Sequence, residues 1–173
     1  MEIAQGLEQA ARSRWPWVAV LLAGLGGSVA LNPPLAVSSG TARATPVCHG
    51  HPATIVGTNG DDTGHRRIRG TSHADVIAGL AGKDEIVGKG ANDIICGGAG
   101  GDFINAGAGQ DKVYGGGGGD LILGRRGSDR LLGQAGDDRL GGGDGKRDLC
   151  SGGAGRDLAQ AKSCERIRGA NAV

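Results

Sequence analysis

The fold is decided by a nine-residue unit that reads Gly97-Gly98-Ala99-Gly100-Gly101-Asp102-Phe103-Ile104-Asn105. The aspartate of this unit recurs every nine residues without a break, at Asp75, Asp84, Asp93, Asp102, Asp111, Asp120, Asp129 and Asp138. A large aliphatic residue stands two places after each of them, at Ile77, Ile86, Ile95, Ile104, Val113, Ile122, Leu131 and Leu140. A disordered, glycine-rich linker has no reason to keep both series in phase, so the pattern indicates a structural repeat, GGxGxDxUx, with U aliphatic.

The backbone chemistry of this unit favours alternating turns and strands. Glycines at the first, second and fourth places permit a tight, left-handed turn, and the three residues around U allow only a very short strand. Because side chains alternate between the faces of a strand, U points inward and stacked units build a thin aliphatic column. No proline follows Pro52, which suits a parallel ladder that needs every backbone donor. The sequence therefore predicts an all-β solenoid.

The composition excludes several classes of protein. Glycine supplies 37 of the 173 residues and aromatic residues only 2%, so an ordinary globular core is not expected. The formal net charge of +1 argues against a nucleic-acid partner. The aliphatic column is too thin to offset the conformational entropy lost by so many glycines. Another source of stability is needed.

A hard divalent cation is that source. Stacked turns bring aspartates close together, where their charges repel. Calcium takes about six to eight oxygen ligands, and a glycine turn exposes several carbonyl oxygens beside the aspartate carboxylate. Ligands from separate coils meet only when the coils stack, so binding energy becomes folding energy. We therefore predict that several Ca²⁺ ions bind and that the chain is largely disordered without them.

These residues resemble the repeats-in-toxin, or hemolysin-type calcium-binding, family over about residues 53–160. The resemblance implies a right-handed parallel β-roll, a β-helix-like solenoid in which two nonapeptides make one coil. Calcium then lies between successive turns on the same side. Asp84, Asp102, Asp120 and Asp138 would share one side, and Asp75, Asp93, Asp111 and Asp129 the other. The implied ligands are the carboxylates of Asp84, Asp102, Asp111, Asp120, Asp129, Asp138 and Asp157, with carbonyls from turn glycines that include Gly97, Gly98, Gly100, Gly115, Gly116, Gly118, Gly152 and Gly153.

Departures from the pattern put particular sites in doubt. The second and fourth glycines before Asp75 and Asp93 are replaced by Thr71, His73, Lys89 and Ala91. We expect these two sites to be weaker or empty. Milder changes are Arg125 and Gln134 at the second place and Ala106 at the first place.

The two ends of the repeat are irregular. Residues 55–62 look like a degenerate first repeat, and about four extra residues, Thr63 to Arg66, are expected to bulge out before Ile68 resumes the column. One residue is inserted between Asp138 and Asp148, and the register recovers at Asp157, followed by Leu158. Asp148 fits either of two interpretations, a calcium ligand or a solvated carboxylate.

The chain divides into four segments. Arg12 and Arg14 precede an uncharged apolar run, and Ala42-Arg43-Ala44 suits a signal peptidase, so residues 1–44 are predicted to be a signal peptide cleaved after Ala44. Cleavage after Ala30 and retention as a membrane anchor are the alternatives. Residues 45–67 are the N-terminal segment with the first degenerate repeat, 68–158 the calcium-binding repeats and 159–173 a C-terminal cap. The mature part contains no segment expected to insert stably into a membrane.

Four cysteines, Cys48, Cys96, Cys150 and Cys164, lie beyond the predicted cleavage site. An even number in an exported chain indicates two disulfides, for which the sequence permits three pairings. We favour Cys150–Cys164, which pins the C-terminal end, and Cys48–Cys96, which fastens the N-terminal segment to the repeats. A zinc site at Cys48, His49 and His51 is the alternative.

The sequence predicts a secreted calcium-binding repeat protein that folds on Ca²⁺ binding. It would act as an extracellular structural or interaction module, with an unidentified extracellular protein or cell-surface partner. The alternative is an exported hydrolase accessory or cytolysin-related protein that carries the same repeats. No enzyme is expected, because GxSxG and HExxH motifs are absent and the nearby combinations, Ser72 with His73 or His65 with a repeat aspartate, are poor catalytic pairs.

Overall fold

The computed structural model describes residues 44–144, 147–160, 163–169 and 171–172. Of the predicted signal peptide, only Ala44 falls within these residues. Cleavage after Ala44 or Ala30, and the membrane-anchor alternative, therefore stay predictions. In the described part of the chain, no helix is long and apolar enough to cross a membrane.

Short strands make up nearly all of the regular structure. In chain order they are β1 (Val47–Cys48), β2 (His51–Pro52), β3 (Ile55–Val56), β4 (Ile68–Arg69), β5 (Val76–Ala81), β6 (Glu85–Gly90), β7 (Ile94–Ala99), β8 (Phe103–Ala108), β9 (Lys112–Gly117), β10 (Leu121–Arg126), β11 (Arg130–Ala135), β12 (Arg139–Gly143), β13 (Leu149–Ala154), β14 (Leu158–Ala159), β15 (Arg166–Arg168) and β16 (Asn171–Ala172). One 3-10 helix, Gly64–Arg66, lies between β3 and β4.

Successive strands alternate between two parallel sheets of seven strands each. One sheet has the order β3-β5-β7-β9-β11-β13-β15 and the other β4-β6-β8-β10-β12-β14-β16. Two strands complete one coil, so paired residues are separated by two nonapeptides, as in Ile86↔Ile104 and Ile95↔Val113. This is the parallel β-solenoid that the repeat predicts.

The strands are longer than the sequence suggests. A three-residue strand around U was expected, but half of the strands in the described chain, such as β8, have six residues. The ladder continues into the turn, because Gly98 and Ala99 still pair with Gly116 and Gly117 of the next coil. The Gly100 N–H then donates to the Gly117 carbonyl at 2.6 Å. Glycine at these places bends the chain while keeping its backbone groups in the ladder.

A single column of side chains fills the space between the sheets. The eight predicted aliphatic residues are at most 2% exposed, and the column continues through Cys150 and Ala159. Leu158, which directly follows Asp157, is 37% exposed. The cause is register: Ala159, not Leu158, pairs with Leu140. Small residues therefore complete the core where the aliphatic pattern ends.

The irregular ends are accommodated at the places that the spacing indicates. Ile55 pairs with Ile77 and Ile68 with Ile86, so the extra residues lie between β3 and β4, where the 3-10 helix forms. At the other end, the predicted cap continues both sheets by one shortened coil, because β15 pairs with β13 and β16 with β14. This last coil covers the edges that β13 and β14 would otherwise expose.

Both favoured disulfides are present. Cys48 is bonded to Cys96 and Cys150 to Cys164, with Cα–Cα distances of 5.7 and 5.8 Å. The first joins the antiparallel hairpin β1–β2 to β7. There, the rings of His49 and Tyr114 pack edge to face, with 4.1 Å between their centroids. Because its sulfur is in a disulfide, Cys48 cannot be the thiolate of the alternative zinc site.

Candidate calcium-binding columns

The repeat aspartates form two hydrogen-bonded columns, one along each side of the solenoid. The backbone N–H of each aspartate except the last two, Asp148 and Asp157, donates to Oδ1 of the aspartate in the next coil, at 2.8–3.0 Å. We call these column one (Asp62, Asp84, Asp102, Asp120, Asp138, Asp157) and column two (Asp75, Asp93, Asp111, Asp129, Asp148). Each of the two sets that the resemblance implied is thus stacked in its own column, one on each side of the solenoid.

The carboxylates of both columns are buried. All eleven aspartates are at most 7% exposed. Nine of them have a second oxygen, Oδ2, that is buried with no hydrogen-bond partner among the described residues: Asp84, Asp93, Asp102, Asp111, Asp120, Asp129, Asp138, Asp148 and Asp157. A buried carboxylate oxygen without a partner is costly, so each of these oxygens requires a compensating group.

Except before Asp111, where Ala106 stands, the first place of each turn is a glycine that leaves room beside that oxygen. A Cβ built on Gly115 would lie 2.7 Å from the Gly133 carbonyl oxygen of the next coil and closer still to Asp120 Oδ2. The same holds for Gly124, where the Gly142 carbonyl oxygen lies 2.6 Å away beside Asp129 Oδ2. A carboxylate oxygen and a carbonyl oxygen therefore face one point that carries no side chain.

The first and the later glycines have different roles. Left-handed backbone was predicted for all three glycine places, but this is wrong for the first place, because Gly97 and Gly115 have no positive φ. Gly98 and Gly100, at the second and fourth places, have φ of +119° and +121°. Glycine is favoured at the first place because a side chain has little room there, and at the second and fourth places because the backbone has a positive φ.

The non-glycine residues at these places keep the same turn. Leu80, Lys89, Arg125 and Gln134 occupy the second place with φ of +82° to +86°, and Ala91 occupies the fourth with φ of +72°. Such conformations are strained for residues with a Cβ, yet the column is unbroken there. Asp93, which follows Lys89 and Ala91, is 1% exposed with an unpartnered Oδ2. Its predicted weakness as a site stays a prediction.

Electrostatics within the columns favours any group that supplies positive charge. Burial raises the pKa of Asp102 to about 6 and that of Asp120 to about 7. The backbone N–H that each accepts lowers the pKa, and the neighbouring carboxylate of the column raises it again. Burial likewise raises the pKa of Asp93, Asp111 and Asp129 to about 6. The calcium-free fold therefore disfavours the ionised carboxylates that a cation would bind.

The donor set fits calcium. Carboxylate and carbonyl oxygens are the ligands that this cation prefers, and both kinds converge inside the turns. Among the described residues, no three His, Cys, Asp or Glu side chains group together as a metal site. A shell here would therefore combine one or two carboxylates with backbone carbonyls from adjacent coils, including those of the predicted turn glycines.

The structure decides one open question and adds one residue. Asp148 is not a solvated carboxylate, because it is 1% exposed and its Oδ1 accepts the Asp129 N–H at 2.8 Å. Asp62, which the sequence places in a degenerate repeat without a site, belongs to column one. Its spacing from Asp84 includes the inserted helix, which hides it from a search for the nine-residue period. Gly60, two residues before Asp62 at the fourth place of the repeat, was the remaining signal in the sequence.

Comparison with known proteins identifies one match. A family model described as the RTX calcium-binding nonapeptide repeat, in four copies, matches residues 69–104, 90–122, 97–131, 114–149 and 123–159. These segments overlap and together span more than half of the 173 residues. No curated protein and no solved structure matches the chain.

Proposed function

Because the chain belongs to the RTX calcium-binding nonapeptide repeat family, we propose that it is an exported protein whose roll folds as calcium binds. The folded roll then serves as an extracellular structural or interaction module. Calcium binding follows from the family. Export, the extracellular role and the absence of catalysis are parts of the proposal.

The nine unpartnered Oδ2 atoms are the observation that carries the coupling of binding to folding. Bound calcium would supply the positive charge and the oxygen coordination that these atoms otherwise lack. The chain contributes the geometry: each Asp N–H fixes the carboxylate of the next coil, and each first-place glycine leaves room beside it. The required groups come from different coils, so they are assembled only in the folded roll.

The cysteines support export. All four form disulfides, one across 48 residues of sequence and one across 14. Stable structural disulfides are typical of oxidising compartments outside the cytosol. The predicted signal peptide, residues 1–44, points to the same destination.

Two measurements test the proposal. Isothermal titration of the oxidised chain should give saturable heat with calcium and none of comparable size with magnesium, which demands a more rigid octahedral shell. Mass spectrometry of the chain collected outside the cells that express it should show a new N-terminus, expected at Thr45. A chain that gives no saturable heat with calcium contradicts the binding proposal, and a chain that stays inside the cell contradicts export.

A further inference from the structure

In each column, a threonine stands four residues before the first aspartate: Thr58 before Asp62 and Thr71 before Asp75. The Thr58 N–H donates to Asp62 Oδ2 at 2.6 Å, and the Thr71 N–H donates to Asp75 Oδ2 at 2.7 Å. The Thr71 hydroxyl reaches the same Oδ2 at 2.9 Å. In the nine later aspartates this oxygen has no hydrogen-bond partner within the part of the chain that the structure describes. The first member of each column therefore differs from all the others.

The backbone of these two turns also differs. The second-place residue has a positive φ in the turns that precede the nine later carboxylates, as at Leu80 and Gly153. Within the described residues, neither Thr58 nor Thr71 has one. A β-branched side chain disfavours that conformation. Thr58 and Thr71 thus turn an N–H toward the carboxylate instead of adopting the glycine turn.

The threonine hydroxyls help to hold this alternative turn. The His73 N–H donates to Thr71 Oγ1 at 3.1 Å, and the Gly60 N–H donates to Thr58 Oγ1 at 3.3 Å. The single hydroxyl proton of Thr58 is closer to the Gly60 carbonyl, at 2.9 Å, than to Asp62 Oδ1, at 3.2 Å. The carboxylate of Asp62 is therefore held chiefly by the backbone N–H. These local bonds are those of a threonine turn.

Both turns lie at the start of the two sheets. The sheets begin at β3 and β4, so within the described chain no earlier coil stacks on Asp62 or Asp75. A carbonyl of the next coil still lies beside each first-place glycine, as Gly79 does beside Gly57, so what the first two turns lack is an Oδ2 without a hydrogen-bond partner. Hydrogen bonds from the same turn satisfy these carboxylates instead.

We propose that Thr58 and Thr71 are positioning residues that end the two calcium-binding columns. Calcium binding then begins at Asp84 in column one and Asp93 in column two, and the carboxylates of Asp62 and Asp75 bind none. This inference rests on the proposed calcium binding and specifies where it starts.

Counting bound calcium tests it. The full chain with both disulfides oxidised is dialysed against excess calcium, and metal per chain is measured by elemental analysis. Asp62→Asn and Asp75→Asn should keep the wild-type count. The matched controls Asp84→Asn and Asp93→Asn, one coil later in the same columns, should each lose at least one ion, because excess calcium fills even the weaker site expected at Asp93. Loss of an ion from Asp62→Asn or Asp75→Asn overturns the inference.

A second pair of variants, at Thr71, separates an effect on stability from an effect on calcium binding. Thr71→Ser keeps the hydroxyl and should behave as wild type. Thr71→Val removes it and should lower the thermal midpoint of the calcium-loaded chain without changing the calcium count. A lower count in Thr71→Val at saturating calcium would show that Thr71 belongs to a calcium site, against the inference. A wild-type chain that binds no calcium refutes the proposed function itself, so the two failures are distinguishable.

Discussion

Two adjacent glycines, Gly117 and Gly118, make opposite demands on the turn before Asp120. Gly118 has φ of +115°, and a Cβ built on it would lie 2.6 Å from the Gly100 carbonyl carbon and 3.0 Å from the Gly101 nitrogen. Gly117 has no positive φ, and a Cβ there would meet nothing within 4 Å. Alanine is therefore predicted to be costly at Gly118 and harmless at Gly117.

The magnitude follows from two contributions. Holding alanine at the φ of Gly118 costs about 1–3 kcal/mol. The overlap with backbone atoms of the neighbouring coil adds about 1–3 kcal/mol, because backbone in a ladder cannot move aside as a flexible side chain does. Gly118→Ala should therefore lower the free energy of unfolding by about 2–6 kcal/mol. Gly117→Ala should raise it by about 0.4–1 kcal/mol, since alanine restricts the unfolded chain.

Urea unfolding at saturating calcium, followed by far-ultraviolet circular dichroism, measures both variants against the wild type. Comparable m-values would show that the same surface is exposed in each case. The reasoning is refuted if Gly118→Ala unfolds at the same urea concentration as Gly117→Ala. That result would mean that the coils separate at little cost, so the close backbone approach does not stabilise the roll.

Three further predictions concern charge and cross-links. Burial raises the pKa of Asp120 to about 7, so protonation of this carboxylate stabilises the fold in the absence of calcium. This stabilisation is complete below about pH 4, where the carboxylate is also protonated in the unfolded chain. It is lost as the pH rises through about 7. Circular dichroism in calcium-free buffer should therefore show more β-structure at pH 4 than at pH 8. For the same reason, protons compete with calcium, and the calcium midpoint should rise as the pH falls from 8 to 6. Replacing both cysteines of Cys48–Cys96 by serine should lower the free energy of unfolding by about 4 kcal/mol, and replacing those of Cys150–Cys164 should lower it by about 3 kcal/mol. The difference arises because the two disulfides close loops of 48 and 14 residues. Urea unfolding measures both values.

The regular part of the fold could be predicted because one short pattern fixes it. A period of nine with a buried aliphatic at a constant place determines both the parallel pairing and the inward face, and Ile104 and Ile122 are buried accordingly. The two carboxylate columns follow from the same period. Pairing of Cys48 with Cys96 was favoured for a simple reason, since it joins the non-repetitive N-terminal segment to the repeats.

The details that escaped prediction depend on contacts between coils. The sequence does not reveal that a first-place glycine such as Gly115 is required by an oxygen of the next coil and not by its own φ. Ala159, by contrast, could have been found, because it stands two places after Asp157, where the repeat has its aliphatic residue. Thr71 was interpreted as a defect in a calcium turn, whereas its hydrogen bonds to Asp75 satisfy the carboxylate.

Far-ultraviolet circular dichroism of the purified chain, with both disulfides oxidised, tests the coupling of calcium binding to folding most directly. The chain is titrated with calcium from a calcium-free start at neutral pH, and separately with magnesium. Nine buried, unpartnered carboxylate oxygens predict little β-structure at the start and a cooperative gain with calcium alone. A spectrum that is already that of the folded roll without calcium, or that stays disordered with it, would contradict the account.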